Sequence, residues 1–258
     1  MPVTHQLPAP MSSLQNFTHP ARAAVIGASG GIGAAFVKEL AADPTLEHIY
    51  ALARTTARFH DARVTEHLLD FNSEASIEQA ADRISQDGPL DLVVVATGIL
   101  HRGDEIRPEK SLADVDAGQM ADVLAINTIG PALVAKHFLP LLRADARTVF
   151  AVLSARVGSI TDNRLGGWIS YRASKAALNM VVKTLSVEQA RKRPGALVVA
   201  LHPGTVETGL SKPFTGRVDP QKLFSPTRAA EQLLDVIDAL PADASGGFFA
   251  WDGKTIPY

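Results

Sequence analysis

The stretch AAVIGASGGIGAAFVKELAA, residues 23–42, joins an apolar β-prone run, a glycine-rich turn and a segment of helical period. Glycines in such a turn let the chain reverse tightly, let its backbone approach a pyrophosphate, and let the helix pack close to the strand. The helix that follows offers unpaired N–H groups and the positive end of its dipole to phosphate. We therefore predict a phosphate-binding loop formed by Gly27, Ser29, Gly30, Gly31, Ile32 and Gly33.

Beyond this stretch, apolar runs continue to alternate with amphipathic segments. Strands are predicted at 23–27, 48–53, 64–69, 91–96, 147–154, 196–202 and 246–251, and helices at 32–42, 74–86, 115–142, 171–192 and 227–239. Several of the runs are continuously apolar, which is typical of strands buried on both faces. The alternation predicts one α/β domain over residues 21–258. Its fold is expected to be doubly wound (Rossmann), with a mostly parallel seven-stranded sheet and helices on both faces.

The composition excludes several classes of function. The net charge is −2 with no basic run, which disfavours nucleic acid as a partner. The chain has no cysteine, and its eight histidines never lie three or four residues apart, so no metal site is expected. Residues 1–20 are interpreted as a flexible tail and not as a secretory signal. No run of about 20 apolar residues indicates a membrane span, and a cytoplasmic location is expected.

The end of the second predicted strand indicates which dinucleotide binds. An acidic residue at this point would bind the ribose 2′-hydroxyl of NAD, but the sequence reads Ala53-Arg54-Thr55. Arg54 is suited to the 2′-phosphate of NADP, with Arg58 as a second cation. The alternative is an ordinary surface arginine. Asp70, after the third strand, is either an acceptor for the adenine amino group or the N-cap of the next helix.

The phosphate-binding loop also contains G-x-S-x-G around Ser29, on a strand–turn–helix unit, as in serine hydrolases. His202 would complete a Ser…Asp…His order. A hydrolase elbow follows a later strand of the sheet, however, and this interpretation leaves Gly33 unexplained. It is retained as a remote alternative.

A tyrosine and a lysine stand four residues apart at the start of the long segment YRASKAALNMVVKTLSVEQA, residues 171–190. This spacing places Tyr171 and Lys175 on one face of a helix. A free phenol has a pKa near ~10, and a neighbouring ammonium group should lower it toward neutrality. The pair is a candidate for acid–base catalysis, although a solvated Tyr/Lys helix face has the same pattern.

Five ordered motifs resemble the short-chain dehydrogenase/reductase family and cover residues 21–258. They are Gly27-x-x-x-Gly31-x-Gly33, Asn127, a serine at the end of the fifth strand, Tyr171-x-x-x-Lys175, and Pro203-Gly204-x-Val206-x-Thr208. The segments LSARVGSITDNRLGGWISYRASKAALN (153–179) and FFAWDGKTIPY (248–258) further resemble the C-signal-like and sniffer-like carbonyl reductase branch.

The resemblance implies an NADP-dependent oxidoreductase that interconverts a small-molecule carbonyl and an alcohol by hydride transfer. Tyr171 would be the acid or base, and Lys175 would bind the nicotinamide ribose and hold down the pKa of the phenol. Asn127 would bend the central helix and hold a water in a proton relay. Val206 and Thr208, after Pro203 and Gly204, would hold the carboxamide.

Two positions depart from the family pattern. The usual N-N-A-G is Val95-Ala96-Thr97-Gly98, which keeps only Gly98 for close approach to the cofactor. The usual Ser-Ser-x-x-Gly is Ser154-Ala155-Arg156-Val157-Gly158, so alanine stands where the catalytic hydroxyl is expected. Because strand side chains alternate, Ser154 reaches the site only if the strand end twists or bulges. Ser154 is our catalytic candidate, Ser159 is the second, and a plain strand-end serine is the alternative.

The remaining features leave the substrate and the assembly open. Residues 209–226 are either a substrate lid or an ordinary surface loop, and an apolar carbonyl compound is expected beside Ile99, Trp168 and Phe214. The altered serine motif also fits a C-signal-like signalling or binding protein, although such a protein needs no acid–base pair. A homo-oligomer through the helices at 115–142 and 171–192 is permitted but not required by their apolar content.

Overall fold

The apolar runs form one sheet of seven parallel strands in the computed structural model, which describes residues 14–18, 20–216 and 219–258. In chain order the strands are β1 Ala21–Ile26, β2 Leu46–Ala53, β3 Val64–Leu68, β4 Leu92–Val95, β5 Thr148–Leu153, β6 Ala196–His202, the short β7 Thr205–Val206 and β8 Leu223–Phe224, and β9 Phe248–Ala250. The order across the sheet is β3-β2-β1-β4-β5-β6-β9, while β7 and β8 pair separately. The predicted doubly wound fold is confirmed.

In the described residues, six α-helices connect these strands: α1 Gly31–Ala42, α2 Glu74–Ser85, α3 Ala117–Leu124, α4 Gly130–Phe138, α5 Ile169–Lys192 and α6 Pro226–Ala239. Helix α6 begins after Ser225, whose side chain accepts a hydrogen bond from the N–H of Arg228, and Pro226 occupies its first position. Helix α1 follows the glycine turn directly, with Gly30 as its N-cap.

The helices cover both faces of the sheet, which explains the continuously apolar strands. On β1, Ala23 and Val25 pack in the core under α1 and α6. Ala24 and Ile26 point the other way, into the core under α2, α4 and α5. All strand residues of β4 and β5 are buried. A strand buried on both sides has no polar face, so its sequence does not alternate.

The topology places a crevice at the carboxyl edge of the sheet, between β1 and β4. The chain builds β2 and β3 on one side of β1 and then crosses to build β4 and its successors on the other. Ala23 of β1 pairs with Leu92 of β4, and the register continues to Ile26 and Val95. Ligands of open α/β sheets bind at this switch point, outside the carboxyl ends of the strands.

The helix predicted over 115–142 is interrupted. A π-helical turn, Ala125–Ile129, separates α3 from α4. The whole stretch Ala117–Leu141 has the length and composition of a membrane span, but half of it is buried inside the fold. Core helices of globular domains pass the same test, so this stretch is weak support for a span.

The predicted flexible tail is wrong for residues 14–18, while residues 1–13 and 19 lie outside the described part of the chain. Leu14 and Phe17 are 0% and 5% exposed and belong to the core under α6. The backbone N–H and side-chain amide of Asn16 donate to the Asp238 carboxylate, at 2.8 and 2.9 Å. Two apolar residues in five produce no readable period, so the pattern could not reveal this packing.

Candidate active site

The phosphate-binding loop needs glycine at specific points. Gly27 has φ +91°, and a Cβ there would lie 2.8 Å from the carbonyl oxygen of Ala96 on the next strand. A Cβ on Gly33 would overlap the carbonyl oxygen of Gly27, so the helix packs against the turn. No side chain caps α1. The first N–H groups of this helix are therefore available to an anion.

A cavity of about 270 Å³ opens beside this loop, and six of the predicted cofactor residues line it. Its lining includes Gly27, Ser29, Gly30, Arg54, Asp70 and Gly98. Arg54 is exposed and has no hydrogen bond or ion pair within the described ranges. Arg58, which has φ +57°, lines the adjoining groove with Ser29 and Lys38. The end of β2 thus presents unpaired cations beside the loop.

Asp70 does not cap the following helix, contrary to one of its two interpretations. The N-cap of α2 is Ser73, whose hydroxyl accepts from the N–H of Ser76. Asp70 instead accepts the N–H of Asn72 at 3.0 Å and closes a local turn at the cavity wall. This position leaves its second carboxylate oxygen as a candidate acceptor for a base.

Tyr171 and Lys175 lie on the inner face of α5, and both are buried. The Lys175 ammonium donates to the carbonyl oxygen of Leu153 at 2.8 Å. The Tyr171 hydroxyl has no hydrogen-bond partner in the described structure. The centroids of the Tyr171 ring and the Trp168 indole lie 6.3 Å apart, edge to face. The pair is therefore buried side by side, with a phenol that is free to bond a ligand.

Burial changes the acidity of both groups. It raises the pKa of Tyr171 to about 12 and lowers the pKa of Lys175 to about 7. The prediction that Lys175 lowers the pKa of the phenol is therefore wrong for the protein by itself. Removing both groups from water disfavours each charged form, and this cost exceeds their mutual effect. A protonated Tyr171 is the state suited to donating a proton.

Asn127 lies in the π-helical turn and joins three parts of the site. It is fully buried, and its side-chain oxygen accepts the N–H of Ile99 at 2.7 Å. Its amide donates to the Ile99 carbonyl oxygen at 2.8 Å and to the Ser174 hydroxyl at 3.0 Å. A Cβ on Gly98 would lie 3.4 Å from the Asn127 oxygen and 3.5 Å from Lys175 Nζ. Asn127, Lys175 and the Gly98 backbone thus converge at one point.

Neither candidate serine presents its hydroxyl to this point. Ser154 is buried and donates to the side-chain oxygen of Asn179 at 2.7 Å. Ser159 is also buried and accepts the N–H of Asp162 at 3.1 Å. Ala155, which is partly exposed, stands where the family pattern has its hydroxyl. The end of β5 does not turn the Ser154 hydroxyl toward Tyr171. The geometry therefore favours the interpretation of Ser154 as a plain strand-end serine over a catalytic one.

The segment after β6 returns to the phosphate-binding loop. Gly204 has φ +78°, and a Cβ there would lie 2.8 Å from the Phe224 ring. Val206 is buried with Phe224. The methyl of Thr208 would lie 2.9 Å from a Cβ on Gly31. Pro203 leads into this turn directly after His202, which ends β6. The segment therefore meets the start of α1 through Thr208.

Aromatic side chains form a wall beside Tyr171. The rings of Trp168 and Phe214 lie 5.1 Å apart, and those of Phe214 and His101 lie 5.7 Å apart. His101 Nε2 lies 3.0 Å from the carbonyl oxygen of Gly209, which ties the 209–216 segment to the loop after β4. His101 was not predicted, because its neighbours in sequence carry no motif. Residues 217 and 218 of the predicted lid lie outside the described structure.

The hydrolase alternative finds no support in the geometry. Ser29 is exposed and forms no hydrogen bond in the described chain. His202 ends β6, which β4 and β5 separate from β1 by about 14 Å at the usual strand spacing. Burial also lowers the pKa of His202 to about 4. A base at that distance cannot activate Ser29.

Comparison with known proteins identifies the family. The model of the short chain dehydrogenase family matches residues 21–218, from β1 through the segment after β6. The chain is a short-chain dehydrogenase. This oxidoreductase is 35% identical over 236 residues to 1-hydroxy-2-glutathionyl-2-methyl-3-butene dehydrogenase of Rhodococcus sp. (strain AD45), covering 91% of this chain and 98% of that one. It is 36% identical over 172 residues to the C-signal of Myxococcus xanthus, covering 66% of this chain and 94% of that one.

Solved structures agree on the fold. NADPH-bound carbonyl reductase from chicken fatty liver has a TM-score of 0.80 at 26% identity, covering 95% of this chain and 97% of that one. The carbonyl reductase Sniffer of D. melanogaster has a TM-score of 0.80 at 25% identity, covering 93% and 100%. The predicted resemblance to the C-signal-like and sniffer-like branch is confirmed.

Proposed function

We propose that this short-chain dehydrogenase interconverts a carbonyl compound and an alcohol with NADP, using Tyr171 as the general acid and base. The observation that carries the proposal is the Tyr171 phenol, buried on α5 beside Lys175 and without a hydrogen-bond partner in the described structure. Tyr171 is 9% exposed, and its hydroxyl is not one of the sealed, unpaired polar atoms of the described core, so it can still bond a ligand. In this position the ligand is a substrate oxygen.

The residues around the cavity fit a dinucleotide. Gly27 and Gly98 line the cavity without a Cβ, so a dinucleotide can approach the main chain there, and the first turn of α1 offers free N–H groups. NADPH, when bound, supplies the hydride. Arg54 supports NADP over NAD, because an unpaired guanidinium at the end of β2 suits the 2′-phosphate. Asp70, which lines the same cavity, would accept from the adenine amino group.

In reduction, Tyr171 donates its proton to the carbonyl oxygen while the hydride reaches the carbonyl carbon, so one alcohol forms. In oxidation, the phenolate takes that proton back. Lys175 would bind the nicotinamide ribose. Asn127 joins the loop at Ile99 to α5 at Ser174 and would hold a relay water beside Lys175. Because neither Ser154 nor Ser159 presents its hydroxyl to Tyr171, the phenol would also polarise the carbonyl. Val206 and Thr208 hold the carboxamide.

The substrate class follows from the wall beside Tyr171. Trp168, Phe214 and Ile99 are apolar, which supports a bulky carbonyl compound with an aromatic or aliphatic body. The Rhodococcus relative is named for a glutathionyl alcohol. A substrate panel therefore includes aromatic ketones, aliphatic aldehydes and glutathione-conjugated alcohols.

The test is the Tyr171→Phe variant, which removes only the hydroxyl. With the best carbonyl substrate and NADPH, kcat should fall by roughly 10²–10⁴-fold, because general-acid catalysis is lost. The affinity for NADPH should stay within about threefold, measured by fluorescence titration.

A variant that reduces the same substrate within tenfold of wild type contradicts the mechanism. A wild-type protein that binds NADPH but turns over no member of the panel in either direction favours instead a signalling or binding role, as the resemblance to the C-signal suggests.

A further inference from the structure

The catalytic helix α5 begins without a cap from its own sequence. Gly166 and Gly167 both have φ +64°, and Trp168, the N-cap residue, has φ +51°. A left-handed conformation is unfavourable for a tryptophan, because its Cβ crowds the backbone. No side chain of the helix's own segment accepts from its first N–H groups. Something outside the segment must hold this conformation.

Glu109 holds it, from a loop 60 residues earlier in the chain. The backbone carbonyl oxygen of Glu109 accepts the N–H of Trp168 at 2.6 Å. Its carboxylate accepts the N–H of Ser170, with both oxygens at 3.2 Å, and also the Ser170 hydroxyl. Glu109 therefore binds the N-cap residue, Trp168, and the second residue of the helix, Ser170.

The Glu109 carboxylate is 5% exposed and forms no ion pair with any cation in the described residues. A buried carboxylate is costly unless hydrogen bonds or charge stabilise it. The start of α5 does both, through the N–H of Ser170 and the positive end of the helix dipole. A neutral residue at this position would avoid the free-energy cost of burying a charge. The buried carboxylate therefore indicates a role in the adjacent active site.

We propose that Glu109 is a positioning residue, which fixes the start of α5 so that Trp168 and Tyr171 face the substrate together. The indole of Trp168 lies 6.3 Å from the Tyr171 ring and 5.1 Å from Phe214, so its backbone conformation sets the shape of the substrate wall. Ser170, which Glu109 binds, is the residue immediately before the phenol. This inference rests on the proposed function for its kinetic part only.

The kinetic test compares a bulky aromatic ketone with a small aliphatic aldehyde. Glu109→Ala should lower kcat for both substrates at least fivefold, through Tyr171. It should also raise KM for the bulky ketone at least fivefold more than KM for the small aldehyde, through Trp168. Glu109→Gln, which keeps an acceptor oxygen for Ser170, should stay within threefold of wild type. Asp104→Ala changes an exposed carboxylate of the same loop and should alter nothing.

A spectroscopic test needs no turnover. The chain has two tryptophans, so Trp168 is the sole emitter in a Trp251→Phe background. In that background, Glu109→Ala should shift the emission to longer wavelength and at least double its quenching by acrylamide, while Glu109→Gln should not. Ser170→Ala, which keeps the N–H but loses the hydroxyl, should give a smaller shift in the same direction.

The outcomes separate the two proposals. If wild type has no turnover but the emission shifts, the proposed function fails and the positioning role stands. If Glu109→Ala leaves the emission unchanged, the positioning role is wrong. The same holds if Glu109→Ala lowers kcat for both substrates with an unaltered KM ratio, because a residue needed only for folding reduces the active fraction alone.

Discussion

At the scale of single residues, burial decides the charge of the catalytic pair. Lys175 has a pKa lowered from 10.5 to about 7 because it is buried. Below about pH 7 the lysine is charged in both the folded and the unfolded state, so the folded state carries the full cost of a buried ammonium. Between about pH 7 and pH 10 the unfolded state binds a proton that the folded state does not. The free energy of unfolding therefore rises with pH across that window.

Lys175→Met should accordingly stabilise the cofactor-free protein while removing activity. The free energy of unfolding should rise at pH 6 by on the order of a few kcal/mol, and the gain should vanish near pH 10. Denaturant titrations at the two pH values measure this difference. Lys183→Met, an exposed lysine of the same helix, is the matched control and should show no such pH-dependent gain. Equal stability of wild type and Lys175→Met at pH 6 would show that a buried Lys175 ammonium does not destabilise the folded state.

The serine question is also one of single residues. Ser154→Ala removes the donor to Asn179, whose side-chain nitrogen already lacks a partner in the described residues. The variant should lose about 1–3 kcal/mol of stability but keep kcat within about fivefold. Ala155→Ser should raise kcat/KM by at least about tenfold, since one oxyanion donor is typically worth more than that. A loss of kcat beyond a hundredfold in Ser154→Ala, at unchanged Tm, would restore Ser154 as the catalytic group.

At the scale of elements, the proposed preference for NADP depends on the end of β2 and the turn before α1. The glycine turn binds phosphate in either dinucleotide, whereas Arg54 faces the same cavity and pairs with nothing in the described chain. Removing a charged partner of the 2′-phosphate costs about 1.5–3 kcal/mol, or roughly tenfold to a hundredfold in affinity. The specificity thus rests on one strand end.

Arg54→Ala should weaken NADPH binding by that factor and leave NADH binding unchanged. Isothermal titration of each cofactor against wild type and variant measures both affinities. Arg191→Ala, an exposed arginine in the last turn of α5 at the amino edge of the sheet, should bind both cofactors like wild type. A wild type that prefers NADH, or a variant that loses both cofactors equally, would show that Arg54 does not select NADP.

At the scale of the whole molecule, the N-terminal segment closes the core under α6. Arg147, before β5, stacks over the Phe17 ring at 4.8 Å and donates to the Ile237 carbonyl oxygen at 2.7 Å, at the end of α6. Asn16 binds Asp238 at the same helix end. The segment therefore connects a strand start and a helix end that are about 90 residues apart.

Leu14→Ala and Phe17→Ala should each lower the free energy of unfolding by about 2–5 kcal/mol, because each leaves a cavity in a buried cluster. Gln15→Ala, at the exposed position between them, should change it by less than about 0.5 kcal/mol. Chemical denaturation of the three variants makes the comparison. If Leu14→Ala and Phe17→Ala are as stable as wild type, residues 14–18 are part of a flexible tail and not of the core.

The sequence alone determined the features that depend on local spacing. The glycine turn between β1 and α1 follows from its motif, and the strands follow from short, continuously apolar runs. The placement of Tyr171 and Lys175 on one helical face follows from their spacing of four residues. These features need no knowledge of which distant segments touch.

Only the tertiary structure decided the features that depend on burial and distant contacts. Ser154 turns to Asn179 across 25 residues, and Glu109 binds Ser170 across 61. The pKa of Tyr171 rises because the fold removes the phenol from water, a cost that the spacing to Lys175 does not contain. Packing in the folded chain determines these contacts and removes the buried groups from water. Neither effect produces a periodic pattern in the sequence.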